Sequence, residues 1–253
     1  MHLISWWDRC FFVPETRKEY SMNKAIIIGR LNKSGVNFND NFDEEPKCRF
    51  KLAVKERWQD NERTELVNIL VAGKDAQKMR TSRVGDLVFV KGLANNGKYE
   101  KEGETIYYYE IESKSLRIIK ENGDLRQEGL YQNDITLIGH LGSDPKVFND
   151  GKVTGFSIAC NDYDGEKETT RWFNVSTFNG MAKAAAEYLS KGRLVSVEGK
   201  ITTRTYEKDN EIKTATSIVA NKWKALDPNP QKKKRQEYSE STDNESVNDD
   251  IPL

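Results

Sequence analysis

Histidine is almost missing from this chain: His2 and His140 are the only two among 253 residues. The usual general base near neutral pH is therefore nearly absent, and neither histidine stands beside a Ser or Cys in a nucleophile motif. There is no GxxxxGK-Ser/Thr phosphate loop, no HExxH, and no HxE with a downstream PCxxC. Paired acids such as Asp162 and Asp164 read as solvated turn residues. Nothing in the chain argues for an enzyme, and no cofactor or metal is expected. Cysteine is scarce as well. Cys10, Cys48 and Cys160 lie far apart, form no CxxC and leave an odd one over, which fits a reducing compartment better than a disulfide framework or a zinc site. No apolar run approaches the roughly 20 residues that cross a bilayer, so a cytoplasmic protein is expected.

The balanced charge, 40 basic against 40 acidic residues, hides an asymmetry. From Gln236 to Leu253 the acids Glu237, Glu240, Asp243, Glu245, Asp249 and Asp250 occur with no base, so the rest of the chain is net basic. Beyond Leu226 the composition turns to Pro, Ser, Asn and charge, and residues 227–253 are expected to be a disordered acidic tail.

The chain repeats itself. NKAIIIGRL (Asn23 to Leu31) returns as NDITLIGHL (Asn133 to Leu141), and Gly85, Leu87, Val88, Val90, Gly92, Tyr99 and Glu100 return as Gly192, Leu194, Val195, Val197, Gly199, Tyr206 and Glu207. Two copies of one domain follow, at 22–119 and 133–226, joined by a polar linker at 120–132. In the second copy, runs rich in β-branched and aromatic residues predict strands over 135–141, 153–161, 171–178, 194–206 and 212–223. Between the third and fourth, Met181, Ala184, Ala185, Tyr188 and Leu189 recur at helical spacing, with Asn179 as cap and Gly192 as stop. Three strands, a helix and two strands suit the five-stranded oligonucleotide/oligosaccharide-binding (OB) barrel. The expected fold is all-β with short helices, as two tandem OB barrels.

Strand periodicity then sorts the side chains. In TRWFNVSTF, Phe173, Val175 and Thr177 share one side, and Trp172, Asn174, Ser176 and Phe178 share the other. The first set reads as core. The second leaves two rings with room between them, and the outward side of the preceding strand adds Tyr163. Arg204 and Tyr206 follow in the fourth strand. Exposed π faces beside cations suit unpaired bases, because stacking is worth about 1–3 kcal/mol per base whatever the sequence. A one-residue slip would instead seal Trp172 and Phe178 in the core and force Asn174 and Ser176 inside. In the first copy, Phe50, Leu52 and Val54 point one way while Arg49, Lys51, Lys55 and Arg57 point the other. Such a row can follow a phosphate backbone or simply keep an edge strand soluble. Trp58 and Tyr99 add two candidate rings. Leu66 and Ala72 stand where the second copy has Trp172 and Phe178, so the first copy is expected to stack fewer bases and rely more on charge.

MNKAIIIGRL, the FxLA strand ending in Trp58, RWFNV, GRLVSVEGKITTRTYE and the acidic tip NDDIPL together resemble the bacterial single-stranded DNA-binding protein family, in order and over nearly the whole chain. The resemblance implies an OB fold that wraps single-stranded DNA without sequence preference, protecting it in replication, recombination and repair. It also implies stacking rings at Trp58, Tyr99, Trp172, Phe178 and Tyr206, with Tyr163 offset by one residue from the place of Trp58. Leu66 and Ala72 depart from the family's aromatics. By the same resemblance Asp249, Asp250, Ile251, Pro252 and Leu253 dock on replication, recombination and repair proteins, with Leu253 where the family usually ends in Phe. Two domains per chain imply a homodimer presenting four. The alternative is an OB adaptor acting mainly through protein contacts, as in primosome assembly. Residues 1–21 have no counterpart in the second copy and form no convincing signal peptide. Since Met22 begins the family-like MNK, a start codon assigned too far upstream is expected. The competing reading uses Trp6, Trp7, Phe11 and Phe12 as an added packing or binding element.

Overall fold

The structure, a computed structural model, describes residues 21–39, 45–58, 61–101, 104–119, 130–164, 167–208 and 211–228. The extension at 1–20, most of the linker and the tail beyond 228 lie outside the described residues. The first barrel comprises β1 (Met22–Asn39), β2 (Lys47–Trp58), β3 (Asn61–Ala72), α1 (Gly73–Met79), β4 (Leu87–Lys101) and β5 (Glu104–Ile119). The second comprises β6 (Gln132–Leu141), β7 (Lys146–Phe148), β8 (Val153–Asp164), β9 (Lys167–Phe178), α2 (Asn179–Tyr188), β10 (Leu194–Lys208) and β11 (Glu211–Ala225).

Each barrel closes the same way. β1 pairs antiparallel with β2 and β4, β4 with β5 and β2 with β3, and a short parallel contact between β3 and β5 (Ile69 opposite Ile111) shuts the ring. In the second barrel β6, β8, β9, β11 and β10 repeat this circuit, with Val175 opposite Ile218 at the parallel contact. The period-two apolar sets fill the interiors: Phe50, Leu52 and Val54 from β2, and Phe156, Ile158 and Cys160 from β8, are buried. Full burial of such side chains is worth about 1.5–3 kcal/mol each.

The barrels are not beads on a string. β1 runs antiparallel to β6 from Met22 opposite Ile138 to Ile28 opposite Gln132, so one 11-stranded sheet passes through both. Ala25 and Ile135 face each other at the centre of this seam, and both belong to a core that includes residues of the two barrels.

Helix α2 departs from its expected ends. Asn179 does not cap it: Asn179 is the first helical residue, with φ at +52°, Phe178 precedes it in extended conformation, and no side chain caps the N-terminus. Gly73 takes φ +59° at the matching point before α1. The turn from strand into helix demands a left-handed residue, and Gly and Asn tolerate that conformation best. At the far end the chain leaves the helix at Leu189, and Gly192, at φ +82°, serves the turn into β10 rather than stopping the helix. The helix buries Ala182 and Ala185, and Leu189 at its C-cap is buried too, while Tyr188 faces solvent.

Candidate nucleic-acid interface

On β9, Phe173, Val175 and Thr177 are buried, while Trp172 is 51% exposed. The slipped register is excluded, because Asn174 is exposed as well. The edge of the Trp172 indole meets Gly142. A Cβ added there would stand 2.1 Å from Trp172 Cζ3 and 3.1 Å from Ser157 Oγ. The absence of a side chain at 142 thus makes room for the edge of the ring, and the residue stays half exposed. At the other end of the strand, the Arg204 guanidinium sits 4.9 Å from the Phe178 ring centroid, a cation–π contact. Arg204 is exposed, so this planar pair borders solvent.

The first barrel uses the matching positions differently. Lys51 and Lys55 are exposed on β2, as is Arg49. Two of these cations are already engaged: Lys55 Nζ lies 2.7 Å from Glu62 Oε1, and Arg49 Nε donates to Glu110 Oε2 at 3.1 Å. The row is therefore weaker in net charge than its sequence suggests. Arg49 and Lys51 border a groove of about 640 Å³ that Lys98, Asn68, Glu110 and Tyr108 also line, within the range of small-ligand sites. Asn68 Nδ2 donates to Tyr109 O at 2.9 Å.

Tyr108 is a groove residue that the sequence analysis missed. It faces Gly97 across the β4–β5 ladder, and a Cβ on Gly97 would meet its Oη at 2.6 Å. In the second barrel the corresponding pair is Arg204 opposite Ala215. Each hairpin thus carries one large and one small residue at this point, with the large one on opposite strands. The remaining groove positions follow suit: where the first barrel has Arg49, Lys51 and Glu110, the second has Gly155, Ser157 and Ser217. One groove is polar and charged. The equivalent face of the second barrel carries small residues beside Trp172 and Phe178.

Arg57 and Trp58 end β2, Tyr99 lies in β4, Tyr163 in β8 and Tyr206 in β10. Their side chains, and the tip from Asp249 to Leu253, lie outside what the structure describes. Trp172 and the Phe178–Arg204 pair therefore define the second groove, and Lys51 the first, with Lys55 farther along β2. Among the described residues, burial pushes the Cys48 thiol up to about 11 and the Cys160 thiol to about 12, so neither offers a thiolate near neutral pH. Among the described residues no group of three or more His, Cys, Asp or Glu could hold a metal ion, and no helix is long and apolar enough to cross a membrane.

The profile of the Single-strand binding protein family matches residues 22–119 and 132–226. The single-stranded DNA-binding proteins of Neisseria meningitidis serogroup A (strain Z2491) and serogroup B (strain MC58) are each 43% identical to this chain over 103 residues, covering 37% of it and 59% of the relative. The chain thus spans 59% of the length of these curated relatives. Among solved structures, the wild-type single-stranded DNA-binding protein from Thermus aquaticus is similar at TM-score 0.64 and 18% identity, covering 83% of this chain and 95% of that one. A deletion mutant of the same protein gives 0.63 and 20%, covering 83% and 97%. That likeness is one of fold.

Proposed function

This chain belongs to the Single-strand binding protein family, and from that membership we propose that it binds single-stranded DNA without sequence preference, protecting unwound strands during replication, recombination and repair. The observation that carries the proposal is Trp172, an indole whose edge meets Gly142, with half its surface open to solvent. An exposed aromatic ring stacks any unpaired base, whereas a duplex hides its bases. Phe178 under Arg204 extends the stacking surface, and Lys51 and Lys98, with Lys55 farther along β2, offer cations to the phosphates. Trp58, Arg57, Tyr99, Tyr163 and Tyr206 complete the proposed path by their place in the family's motifs. No catalytic step and no cofactor enter this reading. Recruitment of replication, recombination and repair proteins is assigned to Asp249, Asp250, Ile251, Pro252 and Leu253, whose acidic and apolar groups suit a basic-rimmed hydrophobic pocket. The proposed site of action is the cytoplasm, as a homodimer with four barrels.

Titration with oligo-dT at two salt concentrations tests the binding. Tryptophan emission should quench as bases stack on Trp172 and Trp58, over a background from Trp6, Trp7 and Trp223, the last of which donates its indole N–H to Met181 O at 3.4 Å. Affinity should fall steeply between the two salts. Little quenching and no salt dependence would favour the adaptor reading instead.

A further inference from the structure

The backbone of the seam between the barrels is symmetric, but its side chains are not. The ladder is centred on Ala25 opposite Ile135: Asn23 faces Leu137 just as Ile27 faces Asn133. One pair of contacts keeps this pseudo-twofold. Asn23 Nδ2 reaches Asp162 Oδ2 at 3.3 Å, and Asn133 Nδ2 reaches Glu56 Oε1 at 3.4 Å. Each asparagine also bonds its own barrel, Asn23 through Ala94 and Asn133 through Ile201.

The charges around these contacts break the symmetry. Glu56 is neutralised from across the seam by Lys200, and the first-barrel position equivalent to Lys200 is Leu93. Asp162 is neutralised from within its own barrel by Arg171. Arg171 also donates across the seam to Asn95 Oδ1 at 3.0 Å and lies 4.0 Å from Glu112 Oε2. The equivalent of Arg171 is Glu65, which is 3% exposed and accepts Thr203 N from the second barrel at 3.1 Å. Arg63 lies 2.6 Å from Glu65 and also donates to Thr203 O at 2.6 Å. Tyr109 Oη accepts Asn174 N at 3.1 Å and its ring meets Phe173 at 6.2 Å, where the second barrel offers only Thr216.

We infer that these side chains select the partner: the surface of a first barrel fits a second barrel and rejects another first barrel. An isologous backbone seam would by itself accept like with like. Two first barrels would face Glu56 with Leu93 at both halves of the seam, without Lys200, while Glu65 would keep Arg63 and meet Asn96 in place of Thr203. Two second barrels would gather Arg171 and Lys200 around each Asp162, and Arg171 would meet Thr202 and Val219 in place of Asn95 and Glu112. Removing the partner of a partly buried charge is far costlier than forming the pair is favourable, so discrimination comes from these mismatches. Every assembly of this chain then contains first and second barrels in paired, alternating order.

Cross-linking at the pseudo-dyad tests this in the full chain, with Cys10→Ser, Cys48→Ala and Cys160→Ala removing the native thiols. Opposed residues of an antiparallel pair lie about 4.5–5.5 Å apart at Cα, within reach of a disulfide. Ala25→Cys alone can bridge only two first barrels, so an interchain dimer on a non-reducing denaturing gel reports like-with-like pairing. Ala25→Cys with Ile135→Cys bridges a first barrel to a second. The double variant should cross-link nearly completely and the single variant hardly at all. Adding Glu56→Lys to Ala25→Cys sets two cations against each other only in the unlike pairing, and should produce interchain dimers. Further adding Lys200→Glu should abolish them. Equal cross-linking by the single and double cysteine variants would overturn the inference, and that comparison stands even if Glu56→Lys fails to fold. Interchain dimers persisting in the Glu56→Lys, Lys200→Glu chain would overturn it as well.

Discussion

Trp172 and Leu66 occupy the same position in the two barrels, both on the open side of the third strand and both well exposed, at 51% and 42%. They differ in what they can offer a base. The half-exposed indole has π faces, with one ring edge in the space that Gly142 leaves, whereas leucine has only apolar area. At about 1–3 kcal/mol per stacked base, Trp172→Ala should weaken oligo-dT binding roughly 5- to 150-fold. Leu66→Ala should cost less than about threefold, since an exposed aliphatic side chain loses little when truncated. Fluorescence anisotropy with a labelled oligonucleotide measures both. Equal losses would contradict the division of labour between a stacking groove and a charged one. Tyr108 shows where residue-level reading stops. Three consecutive tyrosines at 107–109 must alternate faces, but only the pairing of Tyr108 with Gly97 reveals which ring has room to lean into a groove.

The strands were legible because their two faces have different chemistry: Phe173, Val175 and Thr177 against Trp172, Asn174 and Ser176 admit one register once a barrel interior must be filled. The junctions were less so. Asn favours both the N-cap and the left-handed region, so Asn179 reads identically in sequence for either role, and only φ +52° decides. This assignment has its own consequence. Asn179→Ala puts a Cβ without a compensating side chain into left-handed backbone and should destabilise the protein by about 1 kcal/mol, while Asn179→Gly, which copies Gly73, should be close to neutral. Urea midpoints check the order, and Asn179→Ser separates the roles: a cap role would leave serine close to neutral, whereas left-handed backbone makes it about as costly as alanine. The seam between the barrels was not legible at all. The first half of β1 is apolar on its core side whether it pairs with β6 or not, so periodicity carries no mark of its partner.

At the scale of the molecule, closure governs what can join two chains. Every strand of each five-stranded ring has neighbours on both sides, and β7, three exposed residues paired only to β8, is the one free edge among the described strands. So short an edge is a poor template for strand addition. In the homodimer proposed above, the described strands would leave faces rather than edges for contact between chains, and apolar side chains such as Val84, Val147, Phe148 and Tyr188 are exposed. Face packing of this kind is driven by removing apolar area from water and is insensitive to screening. Strand binding depends on counterion release and is not. Sedimentation equilibrium should accordingly give twice the 29.1 kDa chain mass at both low and high salt, while oligo-dT affinity measured in the same buffers falls steeply. A single chain, or four, would dispose of the homodimer. A dimer that dissociates in step with the loss of DNA affinity would instead put charge, not apolar faces, at the contact between chains.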